Sequence, residues 1–204
     1  MRRLKYGNTS TYLVEGSQGF LLVDTDYAGT LQAFYKALKQ NDIRVRDIAY
    51  VMATHYHPDH MGLIGALMQQ GVQLLLLDVQ QASVHFSDPI FAKDQIAAVP
   101  VDESQAVTIS CAESRGFLKS IGIDGQIIHT PSHSVDSVSL VLDEGTCFVG
   151  DLESFEYIEI YGKNTSLQKD WEKLLSFKPK RICYAHRPDG QVEPKESENR
   201  NVKK

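Results

Sequence analysis

Apolar residues fall along this chain in short runs divided by polar turns, and the runs show two periods. Thr11 to Val14 and Gly19 to Asp24 read as strands around the turn Glu15-Gly16-Ser17-Gln18. The second contains the continuous apolar run Phe20-Leu21-Leu22-Val23, as expected of a buried strand. From Thr30 to Gln40, Leu31, Phe34, Tyr35 and Leu38 recur at helical spacing, with Thr30 placed to act as N-cap. Ile48 to Ala53 predicts a strand, Met61 to Gln70 a helix stopped by Gly71, and Val72 to Leu77 another strand. Phe86 to Ala98 has neither period. With Pro89, Phe86 and Phe91, it reads as a loop or short helices that either cover a site or simply pack. Ala106 to Cys111 predicts a strand and Ser114 to Ile121 a short amphipathic helix. Strands follow at Ile127 to Thr130, Val138 to Leu142 and Cys147 to Val149, then a helix at Leu167 to Leu175 and a last strand at Arg181 to Tyr184. Strands with helices between them predict an α/β (α+β) domain over residues 1–190, its sheets covered by helices. Residues 191–204 are polar and charged, and predict a frayed tail.

The strand at Ile48 to Ala53 runs straight into Thr54-His55-Tyr56-His57-Pro58-Asp59-His60, three imidazoles and a carboxylate within six residues. In an extended segment His55 and His57 point the same way, while Asp59 and His60 fall at the turn into a helix and approach from another angle. The plain alternative is a polar loop with Asp59 as a helix cap, but four potential ligands at this density point to metal. Imidazole and carboxylate suit zinc or iron. One loop cannot close two metal sites, so further ligands must come from elsewhere. His133, Asp151 and His186 each stand just past a predicted strand, where sites on such scaffolds are built. His129, inside a strand, reads as a packed or surface residue. His85 lies near the irregular segment, where it either contacts substrate or does nothing. Asp24 and Asp26 read as turn residues or as supports for ligands.

Bulk composition changes this picture little. Hydrophobic residues make up 42% and charged residues 23% of 204, an ordinary globular balance with room for one well-cored domain. A net charge of −5 argues against nucleic acid as the main partner, and a small-molecule substrate is expected. No apolar run is long enough for a signal peptide or a membrane span. Three dispersed cysteines, Cys111, Cys147 and Cys183, predict no disulfide framework and a reducing, cytoplasmic setting. Nothing here indicates an oligomeric state.

The run His55-x-His57-x-Asp59-His60 resembles the defining motif of the metallo-β-lactamase fold superfamily. Thr130-Pro131-Ser132-His133-Ser134 is similar to its second metal motif, with Ser132 where Gly is usual. Gly150-Asp151 is similar to the bridging-aspartate motif. Ala185-His186-Arg187-Pro188 is similar to the last histidine motif, where a Gly often flanks the histidine. The resemblance implies a four-layer αβ/βα sandwich with its site at one edge of two facing sheets. It implies one metal on His55, His57 and His133, a second on Asp59, His60 and His186, and Asp151 between them. It further implies two divalent ions, zinc foremost, with iron or manganese as alternatives.

Within that superfamily, β-lactamases lack the bridging aspartate. Asp151 therefore points toward relatives such as hydroxyacylglutathione hydrolases, lactonases and phosphodiesterases. Only about 18 residues follow His186, fewer than the extra helical domain of the first of these requires. His57 stands where flavodiiron relatives carry Glu. The expected reaction is hydrolysis of a small ester, thioester or lactone by a hydroxide bridging two metals, with Asp59 orienting it and taking its proton. Tyr157, Tyr161 and Lys163, downstream of Asp151, are candidates to hydrogen-bond the substrate's developing oxyanion. The competing expectations are a mononuclear iron persulfide dioxygenase, a phosphodiesterase or weak β-lactamase, and a binding module that keeps the fold without catalysis.

Overall fold

The continuous apolar runs are shared between two cores. Side chains alternate across a strand, so Leu13, Leu22, Val51, Leu74 and Leu76 enter one buried cluster. Their neighbours Tyr12, Val14, Leu21, Val23, Met52, Leu75 and Leu77 enter another. A strand buried on both faces has no polar side to show, which is why these segments read as unbroken hydrophobic stretches. The computed structural model describes residues 1–160 and 165–192.

Among the described residues, the first sheet has the order β1 (Arg2–Lys5), β2 (Ser10–Gly16), β3 (Gly19–Val23), β4 (Ile48–Met52), β5 (Gln73–Leu77), β6 (Val107–Ile109). β1, β2 and β3 pair antiparallel, and β3 through β6 pair parallel. The second sheet has the order β11 (Gly190–Gln191), β10 (Arg181–Tyr184), β9 (Thr146–Gly150), β8 (Val138–Leu142), β7 (Gly125–His129). Only β9 and β10 are parallel in it. Tyr12 to Leu77 of the first sheet and Ile127, Leu140, Phe148 and Cys183 of the second share the cluster between the sheets. α5 (Ser114–Ser120) links β6 to β7 and adds Leu118 to that cluster.

The outer faces are covered by helices. On the first sheet lie α1 (Leu31–Gln40), α2 (Pro58–Met61), α3 (Ile64–Met68) and α4 (Asp88–Lys93), through Phe34, Leu38, Met61, Ile64, Leu67 and Phe91. On the second lies α7 (Thr165–Leu175), through Leu167, Trp171 and Leu174. α6 (Tyr157–Ile160) is one short turn after β9. The result is the four-layer αβ/βα sandwich that the family resemblance implied. The three cysteines are unpaired. No helix among the described residues is long and apolar enough to cross a membrane.

Four local expectations change. The helix expected over Met61 to Gln70 is two helices, broken at Gly62 and Leu63. Thr25 causes the break: its N–H and hydroxyl both donate to His60 O (2.9 and 3.1 Å), and its Oγ accepts from Leu63 N (3.2 Å). An inserted side chain that takes the ladder's hydrogen bonds interrupts a helix. Gly62 allows this approach, since a Cβ there would stand 2.2 Å from Ala28 N. Thr30 precedes α1 but makes no side-chain cap; its hydroxyl donates to Tyr27 O at 2.8 Å. β1 was not expected, because only Leu4 of its four residues is buried; its charged neighbours suit an edge strand. Pairing also continues past residue 190, through β11 and a bond from Val192 N to Lys180 O (2.9 Å). Residues 193–204, the rest of the expected tail, lie outside the described residues.

Candidate metal centre

Five of the seven expected ligands stand where strands stop, and the other two, Asp59 and His60, lie in α2 just after the β4 loop. His55 and His57 follow β4, His133 follows β7, Asp151 follows β9 and His186 follows β10. Backbone hydrogen bonds tie these ends together: Val138 N donates to Thr54 O (2.8 Å), Ala185 N to Gly150 O (3.1 Å) and Ser10 N to Ala185 O (2.8 Å). Gly150 takes the left-handed φ of +56°, and a Cβ there would stand 2.2 Å from the Thr54 hydroxyl. A side chain is therefore excluded just where the Asp151 turn crosses the histidine loop.

The histidine loop is held by Asp24, itself at φ +59°. Its carboxylate accepts from Thr54 N (2.6 Å) and from the Thr54 hydroxyl (2.9 Å), and lies 3.1 Å from His60 Nδ1. This fixes the His60 ring so that Nε2 faces Asp59, Asp151 and His186. Asp26 works further out, accepting from Thr9 N and Tyr27 N (3.2 and 2.6 Å). Three supports were not legible in the sequence. Asp136 accepts from Tyr56 N (2.7 Å). The buried Gln80 amide donates to Ala53 O (3.0 Å), Thr54 O (3.3 Å) and Asp136 O (3.2 Å). Asp170 of α7 accepts from Ser132 N (2.7 Å), beside His133. All are polar residues without a motif, recognisable only by the backbone groups they meet across the fold.

The ligand atoms converge in three overlapping groups: His55, His57 and His133; His55, His60 and Asp151; Asp59, His60 and His186. His57 Nδ1 and His133 Nε2 are 3.3 Å apart, as are His60 Nε2 and His186 Nε2. His186 Nε2 is 3.0 Å from Asp59 Oδ2. The Asp151 carboxylate spans the two ends. Its Oδ1 is 3.4 Å from both His60 Nε2 and His186 Nε2, and its Oδ2 is 3.8 Å from His133 Nε2.

The electrostatics suit ligands. Burial, reinforced by the neighbouring histidines, pushes the His55 imidazole far below its usual range and keeps its lone pair free. Burial opposes ionisation of Asp59, but its hydrogen bond to His186 and the nearby His60 outweigh this and hold it down to about 2. Asp151 is likewise lowered, burial being outweighed by His60 and His186. Burial disfavours charge on His60, yet Asp24 and Asp151 hold its pKa up to about 10. Carboxylates thus converge on a point that a cation must fill, whether a proton or a metal ion.

These residues fit divalent metal. His55 Nε2 and Asp151 Oδ1 are buried without a hydrogen-bond partner, which is costly unless something else satisfies them. Two pairs of imidazole nitrogens face each other at 3.3 Å, an arrangement that a shared cation relieves. The donor set is imidazole nitrogen and carboxylate oxygen, the ligands of zinc and of iron.

The sequence pattern of the metallo-beta-lactamase superfamily matches residues 4–186. The chain belongs to this superfamily. Its members are generally metal-dependent hydrolases. The chain is 27% identical over 193 residues to the Beta-lactamase-like protein 2 homolog of Drosophila melanogaster, covering 91% of this chain and 62% of that protein. It spans 25% to 62% of the length of the curated relatives it matches. In fold it is similar to a metallo-beta-lactamase family protein of Thermus thermophilus, with TM-score 0.70, 19% identity and coverage of 89% of this chain and 69% of that one. It is also similar to TTHA1623, solved in a di-iron-bound form, with TM-score 0.69, 22% identity and 94% of each chain covered.

The other described candidates fall outside the cluster. His129 Nε2 is bonded to Val135 O (2.8 Å). His85 is exposed between Asp88 and Glu103, at 2.8 and 2.9 Å. Tyr157 begins α6, packs on the outer core and lies under the guanidinium of Arg187, 5.9 Å from the ring centroid. Tyr161 and Lys163 lie outside the described residues.

Proposed function

We infer that this chain is a dinuclear metal-dependent hydrolase that cleaves a small ester, thioester or lactone. The observation that carries this is Asp151, whose two carboxylate oxygens face different ligand groups, Oδ1 toward His60 and His186 and Oδ2 toward His133. A single metal needs no such span. His55, His57 and His133 would hold one ion and Asp59, His60 and His186 the other. Two divalent ions so held supply nucleophilic water at neutral pH and Lewis acidity toward a carbonyl or phosphoryl oxygen. Zinc is the first assignment; the di-iron-bound neighbour keeps iron in view, with manganese also suited to the donors.

The protein's own part is positioning. Asp24 sets the His60 ring, and Gly150 lets the Asp151 turn close against Thr54. Asp59 is partly exposed and acidic, with a pKa of about 2. Asp59 would orient the attacking water and take its proton. Tyr157 is the described candidate for contacting the substrate oxyanion, with Tyr161 and Lys163 beside it in sequence. The free cysteines suit a reducing, cytoplasmic setting.

Elemental analysis of the purified chain, paired with a hydrolysis screen, tests this. About two metals per chain are expected, with turnover of at least one thioester, ester or lactone that exhaustive chelation abolishes. Phosphodiesters and a chromogenic β-lactam belong in the same screen. One iron per chain with O₂ uptake on glutathione persulfide would replace the hydrolase with an oxygenase.

A further inference from the structure

The segment after β5 holds two phenylalanines with opposite fates. Phe91 is buried in the outer core, its ring edge-on to Tyr27 at 5.3 Å. Phe86 is 53% exposed, and its ring lies 5.4 Å from that of His57, inclined by 36°. His57 is one of the partly exposed members of the metal cluster. The partly exposed Phe86 ring therefore borders the candidate metal centre at His57.

An aromatic side chain half in water forgoes much of the stabilisation that burial would give, so a flexible loop would fold it inward. Here it is held out. Both chain neighbours are tethered. The His85 imidazole is bonded at both nitrogens, Nδ1 to Asp88 (2.8 Å) and Nε2 to Glu103 (2.9 Å). Ser87 is fully buried, and its hydroxyl donates to Tyr56 O at 2.6 Å. Tyr56 sits between the ligands His55 and His57, so Ser87 ties the segment to the loop that carries the metals. Phe86 N also donates to Ser83 O (2.9 Å). The ring is pre-positioned relative to His57 and is not a mobile flap.

We propose that Phe86 is a specificity-determining residue: an apolar platform beside the metal centre that receives the hydrocarbon part of the acyl group next to the scissile carbonyl. The substrate class follows as esters, thioesters or lactones with an apolar acyl chain of several carbons. The proposal rests on the hydrolase reading for the reaction and on the Phe86–His57 contact for the specificity.

Two series of acyl compounds, acetyl, butanoyl and hexanoyl, separate these supports. The first is p-nitrophenyl esters, read as kcat and KM. The second is the matching hydroxamic acids, read as dissociation constants by calorimetry on metal-loaded protein. Affinity is expected to rise by about tenfold from acetyl to hexanoyl in both series, since each methylene brought into apolar contact contributes up to roughly fourfold. Phe86→Ala should remove most of this rise and Phe86→Leu should retain most of it, at wild-type metal content. The change should appear in KM. Equal chain-length dependence in wild type and Phe86→Ala, or none in wild type, overturns the proposal. If no p-nitrophenyl ester is turned over, the ester reading fails and the wider screen of thioesters and lactones decides the hydrolase reading; the hydroxamate series still decides the role of Phe86.

Discussion

The Asp24 carboxylate lies 3.1 Å from His60 Nδ1, and both side chains are almost wholly buried. The pair directs His60 Nε2 toward Asp59, Asp151 and His186, which makes Asp24 the support on which the second ligand group rests. Asp24→Asn keeps the shape and tolerates the left-handed backbone, but it weakens the hold on the imidazole. Losses of this kind cost about 10- to 100-fold in metal affinity. Titration with zinc should show one weakened site and one near wild type; two unchanged sites would remove Asp24 from this role.

The same pair fixes a pH dependence in chelated protein. His60 is raised to about 10, above the unfolded value of about 6.5. Its contribution is fully present below pH 6.5 and is lost as pH rises toward 10. Urea unfolding should show stability falling over that window, by up to about 1.4 kcal/mol per pH unit. Asp24→Asn should flatten the slope, and saturating metal should remove it by replacing the proton. A rising slope in the wild type would contradict the assignment.

Asp151 joins the two ligand groups, so Asp151→Ala should affect both. Metal content is expected to fall from about two per chain to one or fewer, with hydrolysis reduced more than the roughly 100-fold typical of supporting residues. Full occupancy of both sites in this variant would show that His55, His57 and His133 bind independently of the other group.

Asp170 acts at a distance from the chemistry, through Ser132 N at 2.7 Å. Removing the carboxylate should loosen the turn that presents His133 while leaving His60 and His186 in place. Asp170→Ala should weaken the first metal by roughly tenfold, with kcat restored at high zinc. Asp170→Asn, still an acceptor, should lie between. A loss of thermal stability with no change in metal affinity would make Asp170 a packing residue only.

The sequence by itself determined the ligand inventory and the layers. Seven candidate ligand side chains were legible because six carry local signals: a dense cluster at 55–60, or a histidine next to a strand end. Asp151 became discriminating through the Gly150-Asp151 pair. The unbroken apolar runs were legible as buried strands because strand periodicity is local. Tertiary structure alone decided the rest. Thr25 splits a helix that its own residues would have continued, because Thr25 arrives from another strand end with hydrogen bonds to give. Asp136, Gln80 and Asp170 act on the site through backbone groups 26 to 80 residues away. Phe86 and Phe91 are alike in the sequence, yet one is core and the other borders His57 of the ligand cluster, with the adjacent Ser87 anchored to Tyr56 O. Ligand type and periodicity are properties of residues and short windows. The partner of a polar group, and the side on which an aromatic ring comes to rest, are set by segments that meet only when the sheets close on each other.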